Sequence, residues 1–287
     1  MRGLSTRSTR VKPPLFAGSS AQMRPLLTAA VDVLLELRRH QAPDFLPAYD
    51  AGAYRIEVDL LLDWTWPALH DAPASEPVRD EFADLWRDAL ASIEDTGRHW
   101  VLRDLHSPNL LWMPERVGLA RVGLIDFQDA LSGHLAYDLA SLLQDARIDL
   151  PADLERDLLA HYCSRAPGLG PRFDEREFRH AYAVLGAQRA TKILGGFARL
   201  STLDGKSTYL RPLPRIWRLL EANLGHPVLR PLRAWFDRHF PAALRCRHTW
   251  KWLRSRHRRT SARATIRHPS RHSATNATSS SSRSTCN

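Results

Sequence analysis

Three polar residues carry the chemistry that this sequence offers. Asp104 lies in the segment Arg103–Asn109, Asn109 follows it by five positions, and Asp126 closes the apolar run Leu124–Ile125. A carboxylate, an amide and a second carboxylate in this layout are typical of phosphoryl transfer, in which the protein positions a hydroxyl group and neutralises phosphate charge. Asp104 is predicted to be the catalytic base that accepts the hydroxyl proton. Asn109 and Asp126 are predicted Mg²⁺ ligands, because that ion prefers oxygen donors.

Three short apolar runs surround these residues and are predicted to be strands: Trp100–Leu102, Leu110–Met113 and Arg121–Ile125. Gly118 lies between the last two and indicates a hairpin turn. In such a hairpin Asn109 and Asp126 lie at the same end, close enough to share one metal ion. The alternative is that Asp104 and Asn109 only form turns and that Asp126 caps a loop. The hairpin context favours the metal site.

The same region resembles the aminoglycoside phosphotransferase and choline kinase-like superfamily. Within it, the region is most similar to the bacterial anomeric kinases that phosphorylate N-acetylmuramate and N-acetylglucosamine in cell-wall recycling. The resemblance extends from about Pro25 to about Pro241, and these segments carry it: Leu102–Arg116, Gly118–Ala130, Tyr137–Arg147, Gly186–Arg189 and Lys192–Gly195. It implies a protein-kinase-like C-terminal lobe, ATP and Mg²⁺ as cofactors, and a small-molecule sugar as substrate. The implied reaction moves the ATP γ-phosphoryl group to a sugar hydroxyl, at the anomeric position.

The resemblance assigns the same roles to the base and the two metal ligands, and it adds Asp138 as a buried carboxylate that braces the catalytic loop. Many relatives have a histidine just before the catalytic aspartate, whereas this chain has Leu102-Arg103. Arg103 is accordingly grouped with the loop-bracing residues. His106 is the third loop-bracing candidate, and simple packing within the loop is its alternative role.

Three further residues are predicted to contact the substrate: Gln128, Asp129 and Arg189. Gln128 and Asp129 closely follow the second metal ligand, so they should face the site. Asp129 could hydrogen-bond a sugar hydroxyl, or it could cap the following helix. Arg189 and Lys192 are three positions apart on a predicted helix and share a face. They could bind an anionic group of the substrate, and a surface ion pair is the alternative.

The rest of the sequence predicts an α+β fold that is mostly helical, with the hairpin as a small β insert. Apolar residues recur at helical spacing in these segments: Met23–His40, Tyr54–Leu69, Val78–Ile93, Ala136–Arg147, Pro151–Cys163, Glu175–Leu200, Ser207–Leu224 and Pro227–His239. The start of the second segment could also be a strand. No internal repeat is present, and one domain of ordinary size accounts for these elements.

A kinase of this kind also needs an N-terminal lobe, in which a glycine-rich loop covers the nucleotide phosphates and a strand lysine contacts them. The sequence has no such loop, and its four lysines lie outside a strand-like context: Lys12, Lys192, Lys206 and Lys251. The N-terminal nucleotide lobe is therefore predicted to be missing. The alternative function is a truncated, catalytically incompetent kinase remnant or pseudokinase that binds a sugar at most.

The net charge of +10 is concentrated at the two ends of the chain. Residues 1–24 contain five basic residues and residues 242–287 contain eleven, with no acidic residue in either segment. Residues 1–20 and 242–287 are predicted to be basic disordered tails that flank a phosphotransferase C-lobe-like domain at 21–241. A basic tail can bind nucleic acid, but no interleaved aromatic residues accompany the charge beyond Trp250 and Trp252, which disfavours that partner here.

Targeting signals are absent from the sequence. Residues 1–20 lack the apolar core of a signal peptide, and no apolar run is long enough to span a bilayer. The sequence therefore predicts a cytoplasmic protein without a membrane partner. It carries no signal for an oligomeric state.

Overall fold

Helices make up most of the computed structural model, which describes residues 9–10, 20–93, 99–169 and 172–245. In chain order they are α1 (Ser20–Leu37), α2 (Ala51–Leu60), α3 (Trp66–His70), α4 (Glu76–Ala91), α5 (Ala136–Leu143), α6 (Ala152–Arg165), α7 (Glu175–Asp204), α8 (Leu213–Leu224), α9 (Arg230–His239) and α10 (Ala242–Arg245). Each predicted helical segment contains an α-helix, but the segment Ser207–Leu224 is α-helical only from Leu213, and the segment Ala136–Arg147 only as far as Leu143. The segment whose start could have been a strand is helical from Ala51, where the Asp50 side chain caps α2 by accepting a hydrogen bond from the N–H of Ala53 (3.0 Å).

Short strands form two small sheets: β1 (Thr9–Arg10), β2 (His99–Val101), β3 (Leu110–Trp112), β4 (Val122–Leu124) and β5 (Leu131–Gly133). The strands β3 and β4 form the predicted antiparallel hairpin, with Leu110 opposite Leu124, and β1 pairs with the outer side of β3. The strand β2 pairs instead with β5, which sequence reasoning missed because Leu-Ser-Gly carries no alternating pattern. The loop from β2 to β3 therefore crosses from one sheet to the other, and it contains Asp104.

The central element of the fold is α7, which is 30 residues long and spans about 45 Å at the usual rise per residue. It packs against α2, α5 and α8. Every residue from Ala181 to Thr191 is buried, so this part of the helix is covered on all sides and has no face exposed to solvent. Side chains of this helix consequently reach α2 on one side and α5, which lies beside the catalytic loop, on another.

Gly195 of α7 lies at a close approach between the backbones of two helices. The helix α2 continues through a wide π-helical turn, Leu61–Thr65, into α3, and α7 crosses this turn. The Thr65 hydroxyl donates a hydrogen bond to the carbonyl oxygen of Leu194 (3.0 Å). A Cβ atom added at Gly195 would overlap the main chain of Leu60 and Leu61. Only glycine allows the two backbones to come this close.

Replacing Gly195 by Ala should therefore lower the free energy of unfolding by about 2 kcal/mol or more, because the two helices must separate to admit a methyl group. The neighbouring Gly196 supplies the matched control, since a Cβ atom there meets nothing within 4 Å. Gly196→Ala should raise the free energy of unfolding by up to about 1 kcal/mol through helix propensity. Urea unfolding of both variants measures the difference, and equal effects would contradict the close approach.

The two predicted tails fall largely outside the described residues. Of residues 1–20, only Thr9–Arg10 and Ser20 are described, and of residues 242–287 only Ala242–Arg245. Within the latter, Arg245 forms ion pairs with Glu221 (2.7 Å) and Asp237 (2.9 Å). Among the helices that the structure describes, none combines the length and the apolar character that a bilayer span requires.

Candidate active site

The catalytic loop begins with a strained residue that a buried carboxylate holds in place. Arg103 has a φ of +68°, in the left-handed region that non-glycine residues seldom adopt. The Asp138 carboxylate, which is 2% exposed, accepts hydrogen bonds from the N–H groups of Leu102 (2.5 Å) and Arg103 (3.0 Å). Strain of this kind persists only where the surroundings fix it, and it is common at functional sites. The geometry is the one expected of the predicted brace.

A second buried carboxylate, Asp145, holds the other end of the loop. It accepts hydrogen bonds from the Ser107 N–H (2.8 Å) and the Ser107 hydroxyl (2.5 Å). Asp138 lies within α5, and Asp145 lies just beyond the end of that helix. Sequence reasoning did not single out Asp145. Its spacing of seven residues from Asp138, about two helical turns, is the signal that could have identified it.

Asn109 connects Asp104, the predicted base, with Asp126, the other predicted Mg²⁺ ligand. Its side-chain N–H₂ donates to the carbonyl oxygen of Asp104 (3.0 Å) and to the carboxylate of Asp126 (3.4 Å). The hairpin sets the distance between Asn109 and Asp126, because the N–H of Ile125 donates to the carbonyl oxygen of Asn109 (3.1 Å). Asn109 is buried, whereas Asp104 and Asp126 are exposed. The structure thus brings the three residues together at one end of the hairpin, with the carboxylate-bearing residues on the surface.

The donor set at this end of the hairpin suits Mg²⁺. With the amide nitrogen of Asn109 bound to Asp104, its oxygen remains as the donor for a cation beside the Asp126 carboxylate. Within the described part of the chain, no group of three or more His, Cys, Asp or Glu side chains could hold a metal ion by itself. Mg²⁺ does not require one, since it is usually bound by one or two protein oxygens together with water and substrate phosphates.

The remaining predicted residues differ in how they relate to this centre. Gln128 is exposed and donates a hydrogen bond to the Asp126 carboxylate (3.0 Å), and Asp129 is exposed beside it. Arg189 is only 5% exposed, and its titratable neighbours include Asp138 and His106. The sequence alternative of a surface ion pair for Arg189 is therefore wrong. The substrate-binding roles of all three remain predictions.

His106 lies inside the loop rather than on its surface. It is buried, and its Nδ1 atom has no hydrogen-bond partner. Burial, together with the nearby Arg147 guanidinium, lowers the pKa of His106 to about 4, so the ring is neutral near pH 7. A neutral, buried ring fits the packing alternative as well as it fits a brace.

A glutamate on α2 joins the loop to the long helix, and sequence reasoning missed it. Glu57 forms ion pairs with Arg103 (3.1 Å) and Lys192 (2.6 Å). It also accepts hydrogen bonds from the Tyr49 hydroxyl (2.5 Å) and the Gln188 amide (3.2 Å). Burial acts to raise the pKa of Glu57, but Lys192 and these hydrogen bonds outweigh burial and hold that pKa below its ordinary value. The carboxylate is therefore charged at neutral pH.

The pKa of Asp138 gives the fold a specific dependence on pH. Burial raises it from 3.8 to about 7, although the two loop N–H groups and Arg189 act to lower it. Because this pKa is higher in the folded than in the unfolded chain, the stabilising contribution is complete at low pH and is lost as pH rises through about 7. Asp138→Asn removes the titration while preserving the shape.

Between about pH 5 and about pH 8, the wild type should lose roughly 2 to 3 kcal/mol of unfolding free energy relative to Asp138→Asn. The amide costs a constant amount by weakening the hydrogen bonds to the loop, so the slope with pH is the quantity that matters. Urea unfolding of both proteins across this range provides the measurement. Parallel curves would show that the pKa of Asp138 is not raised.

Comparison with known proteins identifies the family. Residues 17–182 match the model of the phosphotransferase enzyme family. The chain belongs to this family. Among curated relatives, the phosphotransferase is 37% identical over 230 residues to the N-acetylmuramate/N-acetylglucosamine kinase of Caulobacter vibrioides, covering 77% of this chain and 62% of that protein. It is 33% identical to the Pseudomonas aeruginosa protein of the same name, covering 68% of this chain and 57% of that protein. The chain thus spans about three-fifths of the length of these curated relatives.

Solved structures show the same fold at low sequence identity. A choline/ethanolamine kinase family protein from Mesorhizobium loti has a TM-score of 0.52 at 17% identity, covering 82% of this phosphotransferase and 71% of that chain. An aminoglycoside 2′-phosphotransferase-IIIa variant in its GDP complex has a TM-score of 0.50 at 16% identity, covering 77% and 69%. The predicted resemblance to these kinases and the mostly helical α+β fold are both confirmed.

Proposed function

We propose that this phosphotransferase moves the γ-phosphoryl group of ATP to the anomeric hydroxyl of an N-acetylated amino sugar. The proposal rests on the observation that Asn109 contacts both Asp104 and Asp126. Asp104 belongs to a loop that Asp138 and Asp145 hold at its two ends. The names of the curated relatives support the choice of acceptor. Since ATP is the proposed donor, we place the protein in the cytoplasm and assign it no membrane or nucleic-acid partner.

The roles of the residues follow from their positions and chemistry. Asp104 is exposed on the loop and accepts the proton of the sugar hydroxyl as that oxygen attacks the γ-phosphorus. The bond from the γ-phosphorus to the bridging oxygen breaks, and ADP leaves. Asn109 and Asp126 hold Mg²⁺, which neutralises charge on the phosphate oxygens when bound. Gln128 and Asp129 lie beside that carboxylate and are proposed to hydrogen-bond the acceptor. The chain's own contribution is therefore to orient two reactants and to hold one proton.

A second candidate is a catalytically incompetent relative that binds a sugar without transferring phosphate. The observation that favours it concerns the lysine that clamps ATP in kinases. Lys192 lies in the buried helix α7 and pairs with Glu57, and Lys206 lies just beyond that helix, so neither is on a strand. Lys12 and Lys251 lie outside the described residues. On this reading, neither of the two lysines that the structure describes supplies the clamp for ATP.

Transfer of labelled phosphate from ATP·Mg²⁺ to a panel of acceptors tests the proposal. We expect labelling of N-acetylmuramate and N-acetylglucosamine that stops when EDTA removes the metal. The methyl glycoside of N-acetylglucosamine is the matched control, because its anomeric hydroxyl is blocked and every other hydroxyl is free. Labelling of that glycoside would exclude the anomeric position, and labelling of choline or an aminoglycoside alone would exclude the sugar. Sugar binding by calorimetry without transfer would favour the second candidate.

A further inference from the structure

We propose that Glu57 is a positioning residue for the transfer reaction, acting on the base through Arg103. Its carboxylate ties the residue that immediately precedes Asp104 to the helix α7, through Lys192 and Gln188. The inference rests on the proposed function, since it concerns how the base of that reaction is aimed. It adds a residue on α2 that lies 46 positions from its loop partner in sequence.

The contacts of Glu57 use both oxygens of its carboxylate. Oε1 lies 3.1 Å from Nη2 of Arg103 and 2.6 Å from Nζ of Lys192. Oε2 accepts from the Tyr49 hydroxyl at 2.5 Å and from Nε2 of Gln188 at 3.2 Å. The Glu57 side chain is 12% exposed, so water competes weakly for these partners. A carboxylate with four partners from three segments of the chain has little freedom to move.

The Glu57 carboxylate restrains Arg103, whose backbone conformation is strained. Arg103 is held at a φ of +68°, and a non-glycine residue released from that region relaxes to a negative φ. Asp138 restrains its N–H (3.0 Å) and Glu57 restrains its guanidinium (3.1 Å). The two carboxylates thus hold the main chain and the side chain of the same strained residue. Rotation at Arg103 would redirect Asp104, which is the next residue along the chain.

The charges of Glu57, Arg103 and Lys192 explain how one carboxylate can hold both the loop and the helix α7. Two cations, Arg103 and Lys192, share Glu57, and their side chains remain 35% and 20% exposed. Removing the negative charge would leave the two cations facing each other across a neutral side chain. Both would then turn toward water, and Arg103 would lose the tie that opposes its relaxation.

Amide hydrogen exchange of Glu57→Gln, measured by NMR without substrates, tests this positioning. We expect exchange at the Arg103 N–H to be at least about tenfold faster than in the wild type, while the amide of the buried Leu158 in α6 changes in proportion to global stability only. The matched control is Glu155→Gln. Glu155 accepts from the Tyr182 hydroxyl (2.8 Å) and the Gln144 amide (3.2 Å), and both of these residues lie outside the loop. A merely structural role would accelerate both amides equally in both variants.

Hydrogen exchange is the first arm of the test, and steady-state kinetics are the second. Glu57→Gln should lower kcat about tenfold to a hundredfold with little change in the KM for ATP, because the base is misdirected and nucleotide contacts are unaffected. Glu155→Gln should change kcat less than about twofold. Arg103→Gln cuts the same tie from the other side and should reproduce the effect, which covers the case in which Glu57→Gln fails to fold.

The two arms separate the inference from the proposed function. If the wild type transfers no phosphate to any acceptor, the proposed function fails, and the exchange arm still decides whether Glu57 holds the loop. Unchanged exchange at the Arg103 N–H in both Glu57→Gln and Arg103→Gln would overturn the inference. A fall in kcat of the same size in Glu155→Gln would overturn it as well.

Discussion

Replacing Asp104 by Asn should lower the rate of phosphoryl transfer by about 10² to 10⁴-fold while leaving the fold intact. The amide has nearly the same shape as the carboxylate, but it cannot accept the proton of the acceptor hydroxyl. Asp104 is exposed, and its contact with Asn109 is made by its main-chain carbonyl oxygen, which the substitution keeps. The free energy of unfolding should therefore change by less than about 0.5 kcal/mol. Steady-state kinetics with the best acceptor and urea unfolding measure the two quantities.

Asp80→Asn is the control for Asp104→Asn. Asp80 is an exposed aspartate of α4 and lies outside the catalytic loop, so the same chemical change there should leave kcat within about twofold. Transfer by Asp104→Asn near the wild-type rate would remove this residue as the base. Loss of folded protein in Asp104→Asn would instead show that the carboxylate has a structural role that its exposure does not suggest.

Replacing Asp126 by Gly should lower transfer by about a hundredfold or more without destabilising the protein. Asp126 has a φ of +64°, a conformation that costs a residue with a Cβ about 1 to 2 kcal/mol and costs glycine nothing. The gain is partly offset by the greater freedom of glycine in the unfolded chain. We therefore expect the free energy of unfolding to stay level or rise by up to about 1 kcal/mol. The Mg²⁺ concentration needed for half-maximal transfer should rise steeply, because one of the two protein ligands is lost.

Asp71 provides a matched control for Asp126→Gly. It also has a positive φ, +59°, and it ends α3. Asp71→Gly should give the same small change in unfolding free energy and leave both kcat and the Mg²⁺ titration unchanged. An unaltered Mg²⁺ titration in Asp126→Gly would exclude Asp126 as a ligand. A loss of about 2 kcal/mol or more in Asp126→Gly would show that its contacts with Asn109 and Gln128 outweigh the strain.

The parts of the fold that sequence could predict are those set by local patterns. Helical spacing identified the helices, and the apolar runs around Gly118 identified the hairpin that brings Asn109 to Asp126. These features depend on residues close together in the chain, so their signals are readable in one stretch. The same locality explains why Asp138 was found, since it lies in a segment that resembles known kinases.

The parts that sequence could not predict depend on distant pairing. The strand β5 is three residues long, and β2, with which it pairs, lies some thirty positions earlier. Glu57 is one of several acidic residues on helices, and nothing local distinguishes it, because its partners Arg103 and Lys192 lie 46 and 135 positions away. For a similar reason, the sequence left open the alternative that Arg189 forms a surface ion pair. Only the packing of helices around α7 places it inside.

The spacing between Asp138 and Asp145 along the chain does not tolerate the insertion or deletion of single residues. Asp138 in α5 and Asp145, which lies just beyond the end of α5, hold the backbone at Leu102–Arg103 and at Ser107, so the segment between them fixes the span of the loop. Inserting one residue into α5 after Asp138 would turn one carboxylate by about 100° relative to the other, and both could no longer reach the loop. Substitutions are therefore tolerated between these two residues far better than insertions or deletions. Active proteins that descend from this one should show no change of length in this segment.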